Sequence, residues 1–173
     1  RKAFQKGYLK TQATPGAIEL VEWNSKNFSE LKEAIKNSDI VINLIGILYE
    51  TRKQKFYNIH SDIPEAVSKI CSESDVKKFI HVSAIGASET SKSLYQKSKF
   101  QGEIKALNNF KSSIIIRPSV VCGTEDNFTN LFSKLSFLPV IPVVGINYKF
   151  QPILVTDVAD AIVQAIETNN NEG

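Results

Sequence analysis

The chain has 173 residues, of which 21 are lysine or arginine and 18 are aspartate or glutamate, so its formal net charge is +3. This length suits one domain with a real hydrophobic core, and 42% apolar with 23% charged residues is near the globular average. Eight glycines, six prolines and two cysteines exclude a collagen, a disordered chain and a disulfide-rich secreted module.

The N-terminal third is predicted to contain two strands with a helix between them. Ala17–Trp23 alternates apolar and polar residues and predicts a strand. Asn27 is predicted to cap the helix, with Glu30 three residues later as a capping-box-like partner. Ile40–Ile45 is a nearly continuous β-branched run, which is typical of a strand buried on both faces in a parallel sheet.

The middle of the chain continues the alternation of helix and strand. Asp62 is predicted to cap a helix that has Pro64 in its first turn. Phe79–Val82 predicts a strand that ends at Ser83, and Leu94–Asn108 predicts a helix.

The C-terminal third repeats this order, with a strand at Ser113–Arg117, a helix at Asn127–Leu135 and a short strand at Ile153–Val155. Thr156 or Asp157 is predicted to cap the last helix. Strands separated by helices indicate βαβ units and a parallel sheet with helices on both faces. Ligands of such sheets bind beyond the carboxyl ends of the strands. The site candidates are therefore the residues that follow the strands: Asn24, Gly46, Ser83 and Pro118.

A Tyr-x-x-x-Lys pattern occurs twice, at Tyr95–Lys99 and at Tyr49–Lys53, and the context favours the first. Tyr95 and Lys99 share one face of a predicted helix, and Ser83 ends a strand twelve residues earlier. The pair is expected to project away from the apolar stripe that packs this helix, which consists of Phe100, Ile104 and Leu107.

These three residue types suit proton and hydride chemistry. A free tyrosine has a pKa of about 10, and a nearby ammonium is expected to lower it. Tyr95 would then exchange a proton with a substrate hydroxyl or carbonyl, and Ser83 would hydrogen-bond the same oxygen. Lys99 would also hold the ribose of a nicotinamide cofactor, which supplies the hydride.

Five stretches in order carry a resemblance to a known family: Asp39–Leu48, Phe79–Ala84, Tyr95–Glu103, Ile116–Asp126 and Gln151–Ala159. On these the chain resembles the extended and atypical short-chain dehydrogenase/reductase superfamily, also called the NAD-dependent epimerase/dehydratase superfamily. Within it, the chain is similar to the branch that contains the dehydrogenase-like accessory subunit of respiratory complex I and its bacterial relatives.

The resemblance implies an α/β fold, a Rossmann-like doubly wound parallel sheet, from which the N-terminal β-α-β unit and the C-terminal substrate region are missing. The chain would be one incomplete NAD(P)-binding domain over 1–173, with the sheet core at 1–122, a substrate-side insertion at 123–150 and a return strand and helix at 151–173. The missing strands would lie beside Ala17–Trp23. The 173 residues alone are therefore expected to fold poorly, or this strand to be misplaced.

The resemblance also implies the roles of individual residues, with Ser83, Tyr95 and Lys99 as the catalytic set. The cofactor-binding residues would be Asn24, Leu44, Ile45, Gly46, Val82, Lys99, Pro118, Ser119 and Val121. The cofactor would be NADP or NAD. Arg1 and Lys2, at the expected end of the missing second strand, favour NADP slightly because bases there can select a ribose 2′-phosphate.

Two functions stay open. The first is an oxidoreductase or epimerase-type enzyme that uses the Ser-Tyr-Lys site for hydride transfer. The second is a non-catalytic nucleotide-binding accessory subunit or assembly factor of respiratory complex I, with that complex's subunits as partners. The expected location is the cytoplasm of a bacterium or the mitochondrial matrix, with a position peripheral to the inner membrane as an option.

Other ligands are not indicated by the sequence. His60 is predicted at the surface and His81 in the core, and neither has zinc-site spacing to Cys71 or Cys122, so no metal is expected. Both cysteines are expected to be reduced. The charge gradient is too mild for a nucleic-acid-binding stripe, and no apolar run reaches the length of a transmembrane helix.

Overall fold

The computed structural model describes residues 3–23, 27–124, 126, 130, 135 and 150–168. A 3-10 helix over Ala3–Gln12 comes first, and a π-helical segment over Asn58–Asp62 leads directly into the second α-helix. The other elements are α1 (Phe28–Lys36), β1 (Ile40–Asn43), α2 (Ile63–Ser72), β2 (Lys78–Val82), α3 (Leu94–Asn109), β3 (Ile114–Ile116), β4 (Val121–Cys122), β5 (Ile153–Leu154) and α4 (Val155–Glu167).

Strands β1, β2 and β3 form a parallel sheet in that order, and β4 and β5 form a separate parallel pair. Phe79 of β2 is fully buried in the core beside α2 and α3, whereas its neighbour Lys78 reaches the last carbonyls of α4. Because successive side chains of a strand point to opposite faces, α4 lies on the other face of the sheet. The α/β class and the Rossmann-like parallel sheet predicted from the sequence are therefore confirmed.

The hydrophobic core lies where β1 and β2 meet the helices α1, α2 and α3. Each large apolar side chain buried there contributes about 1.5–3 kcal/mol to stability. Its buried members are Ile35, Ile59, Ile63, Val67, Ile70, Cys71, Val76, Phe79 and Ala106. Cys71 and Cys122 are both free thiols. Among the residues that the structure describes, no helix is long and apolar enough to cross a membrane.

The strands confirm four of the five predicted ones, with ends shifted by a residue or two, and β4 had no predicted counterpart. The exception is Ala17–Trp23, which belongs to no strand in the described structure. Val21 in its middle is 55% exposed. A strand needs a hydrogen-bonding neighbour, and no described strand pairs with this segment.

The cap of α1 confirms the prediction for Asn27. Its side-chain oxygen accepts a hydrogen bond from the Ser29 backbone N–H at 3.1 Å. Glu30 takes part in a different way from a standard capping box, since its carboxylate accepts from the Asn27 side-chain amide at 3.2 Å.

The predicted cap at Asp62 is wrong, because the helix passes through this residue. Asp62 has helical angles (φ −74°, ψ −34°), and its carboxylate accepts a hydrogen bond from Lys105 instead. Pro64 has no N–H for the carbonyl of His60, four residues earlier, and its ring would collide with that carbonyl in a regular α-helix. The preceding turn is wider, as a π-helix, and this removes the collision.

The predicted cap of the last helix is also wrong. α4 begins at Val155, one residue before Thr156, and Leu154 precedes it without a side-chain capping bond. Asp157 lies in the first turn, where its carboxylate interacts favourably with the helix dipole. The predicted helix at 127–135 lies almost entirely outside the described residues, as does most of the segment 123–150.

Candidate functional site

Ser83 follows the last residue of β2 and is held there by the sheet. Its backbone N–H donates to the Ile116 carbonyl at 2.8 Å, which continues the pairing of β2 with β3. The residue is only 5% exposed, and its Oγ is buried without a hydrogen-bond partner. An unpaired buried hydroxyl is costly, and no described residue uses the hydrogen-bonding capacity of this one.

Tyr95 lies in the first turn of α3 and faces the same cavity as Ser83. This cavity has a volume of about 550 Å³. It lies at the carboxyl ends of β2 and β3, the edge at which open α/β sheets bind ligands. It is lined by Leu48, Val82, Ser83, Ala84, Ile85, Tyr95, Pro118, Ser119, Val120 and Val121.

Lys99 lies one turn after Tyr95 and is almost completely buried, at 5% exposure. Its ammonium donates to the Val82 carbonyl at 3.2 Å, directly beside Ser83. Burial lowers the pKa of Lys99 to about 8, against the opposing effect of the Glu103 carboxylate. Lys99 is therefore still mostly protonated at neutral pH, with its charge at the end of β2.

The buried face of α3 differs from the predicted one. It consists of small and polar residues: Ser98, Lys99, Gly102, Glu103 and Ala106. Ile104, from the predicted stripe, is 39% exposed. The expectation that Lys99 projects away from the packing face is therefore wrong. The reason is close contact, since a β-carbon on Gly102 would lie 1.9 Å from the His60 carbonyl oxygen, so α3 packs backbone against backbone.

The electrostatics of Tyr95 also differ from the expectation. Burial raises the pKa of Tyr95 above its usual value, whereas the ammonium of Lys99 was expected to lower it. The phenol is enclosed by aromatic rings, with Phe56 at 5.7 Å and His60 at 5.1 Å between ring centroids, both edge to face. An apolar surrounding disfavours the phenolate, so the free protein holds Tyr95 as a neutral phenol.

The segment after β1 forms a second cavity of about 500 Å³. It is lined by Trp23, Leu44, Ile45, Gly46, Ile47, Gln54, Ile59 and Ile63. A β-carbon on Gly46 would lie 3.3 Å from the Lys99 Nζ. The ammonium of Lys99 thus lies close against Gly46, and it would have to shift by a few tenths of an ångström to admit a side chain there.

The predicted site residues therefore fall into two groups at one edge of the sheet. The first cavity contains Val82, Ser83, Tyr95, Pro118, Ser119 and Val121. The second contains Leu44, Ile45 and Gly46. Lys99 joins them, since its ammonium is next to Gly46 and bonded to Val82. Asn24 lies outside the described residues.

Two histidines and an asparagine form a buried polar cluster that the sequence did not indicate. His60 was expected at the surface but is fully buried, while His81 is in the core as predicted. Asn43 on β1 is opposite His81 on β2, and its amide nitrogen is 3.2 Å from the His81 Nδ1. Burial, followed by the charge of Lys99, lowers the pKa of His60 to about 4 and that of His81 to about 3. Both are therefore neutral at pH 7.

Among the described residues, no three His, Cys, Asp or Glu side chains come together as a possible metal site. Comparison with protein families gives a more specific result. Residues 6–114, more than half of the chain, match the family model described as NAD(P)H-binding. The chain belongs to this family. The match includes β1, β2 and α3, all the lining residues of the second cavity, and Ser83 and Tyr95 of the first.

Curated relatives place the chain more narrowly. It is 36% identical over 160 residues to the mouse protein named NADH dehydrogenase [ubiquinone] 1 alpha subcomplex subunit 9, mitochondrial, covering 91% of this chain and 42% of the relative. It is 29% identical over 170 residues to the NADH-ubiquinone oxidoreductase 40 kDa subunit of Neurospora crassa, covering 98% and 45%. A ceramide reductase of Caulobacter vibrioides is 27% identical over 152 residues, covering 87% and 48%. The predicted resemblance to the complex I accessory-subunit branch is confirmed, and the chain spans less than half the length of these relatives.

Solved structures support the fold. A UDP-glucuronic acid 4-epimerase of Bacillus cereus, in complex with UDP-glucuronic acid and NAD, superposes with a TM-score of 0.76 at 18% identity, covering 96% of this chain and 61% of that one. A dTDP-4-dehydrorhamnose reductase of Bacillus anthracis, in complex with NADP, superposes with a TM-score of 0.69 at 17% identity, covering 93% and 66%. At these identities the likeness shows the Rossmann-like fold.

Proposed function

We propose that this chain contributes one side of a nicotinamide dinucleotide site that runs along the carboxyl edge of its sheet. The segment after β1, with Leu44, Ile45 and Gly46, would pass beside the dinucleotide, and Asn24 would lie near its adenine. The nicotinamide end would lie in the first cavity. The residues that would border it there are Val82, Pro118, Ser119 and Val121. The family match supports this assignment, as does the unpaired Ser83 Oγ in that cavity.

In this arrangement the chain's own polar groups would have separate tasks. Ser83 Oγ, which lacks a partner, would donate a hydrogen bond to an oxygen of the bound molecule. The ammonium of Lys99 would remain bonded to Val82 and donate its further hydrogens to the ribose. Tyr95, a neutral phenol, would act as a hydrogen-bond donor and a proton source. A bound nicotinamide supplies hydride chemistry at such a site.

The role that we propose is a nucleotide-binding accessory subunit of respiratory complex I, or a factor in its assembly. Similarity over 91% of the chain to a mouse protein named as a subunit of NADH dehydrogenase carries this proposal. Burial raises the pKa of Tyr95, and the neutral phenol would donate a hydrogen bond to the bound nucleotide in this role. The protein would then be peripheral to the inner membrane, in the mitochondrial matrix or in the cytoplasm of a bacterium.

Hydride transfer by an oxidoreductase or epimerase-type enzyme is the second candidate. A specific observation favours it, because Ser83 and Tyr95 line one cavity and Lys99 lies directly behind them. The similarity to a ceramide reductase over 87% of the chain supports it further. Ser83 would then orient a substrate carbonyl, and Tyr95 would give its proton to the oxygen as the carbonyl is reduced.

Between the two dinucleotides we propose NADP. The support is charge, since Arg1 and Lys2 would place two cations where a ribose 2′-phosphate binds. Fluorescence titration of the whole protein with NADPH and NADH tests this, and we expect tighter binding of NADPH. Substitution of both basic residues by glutamine should remove the difference, and equal affinities in the wild type would contradict the proposal.

The decisive experiment measures retained nucleotide and turnover on the whole protein. We expect NADPH to be retained through purification, no oxidation of it by carbonyl compounds, and co-purification with subunits of the membrane complex. If the wild type shows turnover that Tyr95→Phe abolishes, the protein is an enzyme. Tyr49→Phe is the matched control, because Tyr49 begins the other Tyr-x-x-x-Lys pattern and is 75% exposed.

A further inference from the structure

The ring of His60 contacts both halves of the proposed site. It lies in the π-helical segment Asn58–Asp62 and is fully buried. The ring of Phe56 stacks on it at 5.4 Å, and the ring of Tyr95 meets it edge to face at 5.1 Å. π-helical turns often mark functional positions.

Two hydrogen bonds define the protonation of this ring. The backbone N–H of Ile47 donates to Nε2 at 3.0 Å, so Nε2 must carry a lone pair. The proton is then on Nδ1, which donates to the Ser98 Oγ at 2.9 Å. The Ser98 hydroxyl in turn donates to the Tyr95 carbonyl at 2.8 Å. One neutral tautomer therefore completes a chain of hydrogen bonds from the Ile47 backbone to the Tyr95 backbone.

The backbone of His60 is packed tightly against α3. Pro64, which cannot donate to the His60 carbonyl, follows the π-helical turn, and that carbonyl lies so close to Gly102 that a β-carbon there would be 1.9 Å away. On the other side of His60, Gly46 and the ammonium of Lys99 lie near the ring. The position for a β-carbon on Gly46 is 3.7 Å from His60 Nε2 and 3.3 Å from Lys99 Nζ.

The surroundings of the ring keep it neutral, and the two hydrogen bonds select its tautomer. Lys99 is the cation that acts on His60, the Tyr95 phenol ring lies 5.1 Å away, and His60 in turn acts on His81 of β2. Burial and the charge of Lys99 lower the pKa of His60 to about 4, so the ring stays neutral across the physiological range. A neutral imidazole can accept from Ile47, whereas an imidazolium cannot.

We propose that His60 is a positioning residue that locks the Gly46–Ile47 backbone to the helix carrying Tyr95 and Lys99, so that dinucleotide bound along this segment and the Tyr95 side chain are held in one fixed relation. This inference rests on the proposed dinucleotide site. His60 itself lines neither the first nor the second cavity, and it acts through Ile47 and Ser98.

The first test needs no nucleotide. Long-range ¹H–¹⁵N NMR of the whole protein should show a His60 whose Nδ1 is protonated and whose Nε2 is not, unchanged between pH 8 and pH 5. The Ile47 amide should exchange slowly with solvent. A His60 protonated on Nε2, or one that titrates near pH 6.5 like a free histidine, overturns the proposal.

The second test compares two variants by titration with NADPH. His60→Phe keeps the ring but removes both hydrogen bonds, and we expect it to weaken binding about tenfold and to speed exchange of the Ile47 amide. His60→Gln retains an acceptor at the Nε2 position, and we expect it to restore affinity to within about threefold of the wild type. If His60→Phe and the wild type bind NADPH with equal affinity, His60 is not a positioning residue.

The two proposals fail in distinguishable ways. In one outcome, the wild type binds no dinucleotide although His60 has the expected tautomer and the Ile47 amide is protected. The proposed function is then wrong, but the hydrogen-bonded link from Ile47 through His60 to α3 exists. If the wild type binds NADPH and the tautomer is the opposite one, the proposed function survives and the role of His60 is wrong.

Should His60→Phe fail to fold, Ser98→Ala replaces it. Like His60→Gln, this variant removes the link to Tyr95 and leaves the Ile47 bond, so we expect NADPH binding about threefold weaker than in the wild type, with a protected Ile47 amide. Wild-type affinity of Ser98→Ala overturns the proposal.

Discussion

The unit formed by β1, β2, α2 and α3 differs sharply from the N-terminal segment 3–23. In the first, both apolar and polar side chains are buried, including the charged side chain of Lys99. In the second, the residues from Gly7 to Pro15 are all exposed, and Ala17–Trp23 forms no strand. Both contain apolar patterns that predict regular structure. The difference shows that such a pattern becomes a packed element only where a neighbouring element covers it.

Glycine substitution should separate the two regions most strongly. Gly102→Ala puts a β-carbon 1.9 Å from the His60 carbonyl oxygen, so α3 must move away from the π-helical segment. We expect the free energy of unfolding to fall by about 3 kcal/mol. Gly7→Ala is the matched control, since nothing lies within 4 Å of its added carbon, and it should change stability by less than about 0.5 kcal/mol. Urea denaturation of both variants checks this, and equal effects would show that α3 is not packed through Gly102.

Acid should weaken the packed unit through its two buried histidines. Burial holds the pKa of His60 at about 4 and that of His81 at about 3, below the ordinary value near 6.5. Below pH 6.5 the unfolded chain takes up protons that the folded chain does not, so stability falls as the pH drops from 6.5 toward 4. We expect a loss of about 1.2 kcal/mol from each histidine, or about 2.5 kcal/mol together, between pH 7 and pH 5.5.

The same urea experiment with His60→Gln at both pH values isolates one of the two groups. Glutamine does not titrate, so the variant should lose about half as much stability as the wild type over this interval. An identical pH dependence in the two proteins would mean that His60 is protonated equally in the folded and unfolded states.

The ion pairs offer a smaller contrast between a buried and an exposed partner. Glu103 is 2% exposed, and Arg117 binds its carboxylate through two hydrogen bonds. Arg117→Met leaves that carboxylate without its partner, and we expect a loss of about 1–3 kcal/mol, reduced from the value for fully buried pairs because Arg117 is half exposed. Lys77→Met, at the exposed pair with Asp39, should leave the melting temperature almost unchanged. Thermal melts of both variants measure the difference, and a larger effect of Lys77→Met would reverse our ranking.

The smallest expected effect concerns the junction of the two regions. Asn27 caps α1, and Asn27→Ala removes the bond to the Ser29 N–H, at a cost of about 1 kcal/mol. Val21→Ser, six residues earlier in the exposed segment, should cost less than about 0.5 kcal/mol. Circular dichroism melts resolve these two values. A larger cost at Val21 would indicate that Ala17–Trp23 is covered by another part of the protein.

Sequence reasoning was most accurate where one local signal sufficed. The β-branched run at Ile40–Ile45 predicted a parallel strand and Asn27 predicted a helix cap, and both predictions are confirmed. Both features depend on residues that are neighbours in the chain. It failed at Asp62, where the missing N–H of Pro64 and the contact with Gly102 decide the shape of the turn. Pro64, four residues after His60, was the signal that could have indicated this.

The sequence by itself determined the alternation of strands and helices and the family. It also placed Ser83 directly after a strand, and Tyr95 and Lys99 on one helix. Only the tertiary structure decided that Lys99 is buried beside Val82 and that the pKa of Tyr95 is raised. It also decided that His60 is buried, with its ring bonded to Ile47 and in contact with Tyr95. The physical reason is that hydrogen-bond partners and solvent exposure depend on residues far apart in the chain. Spacing along a helix gives a side chain's direction, but what it meets there is fixed by packing.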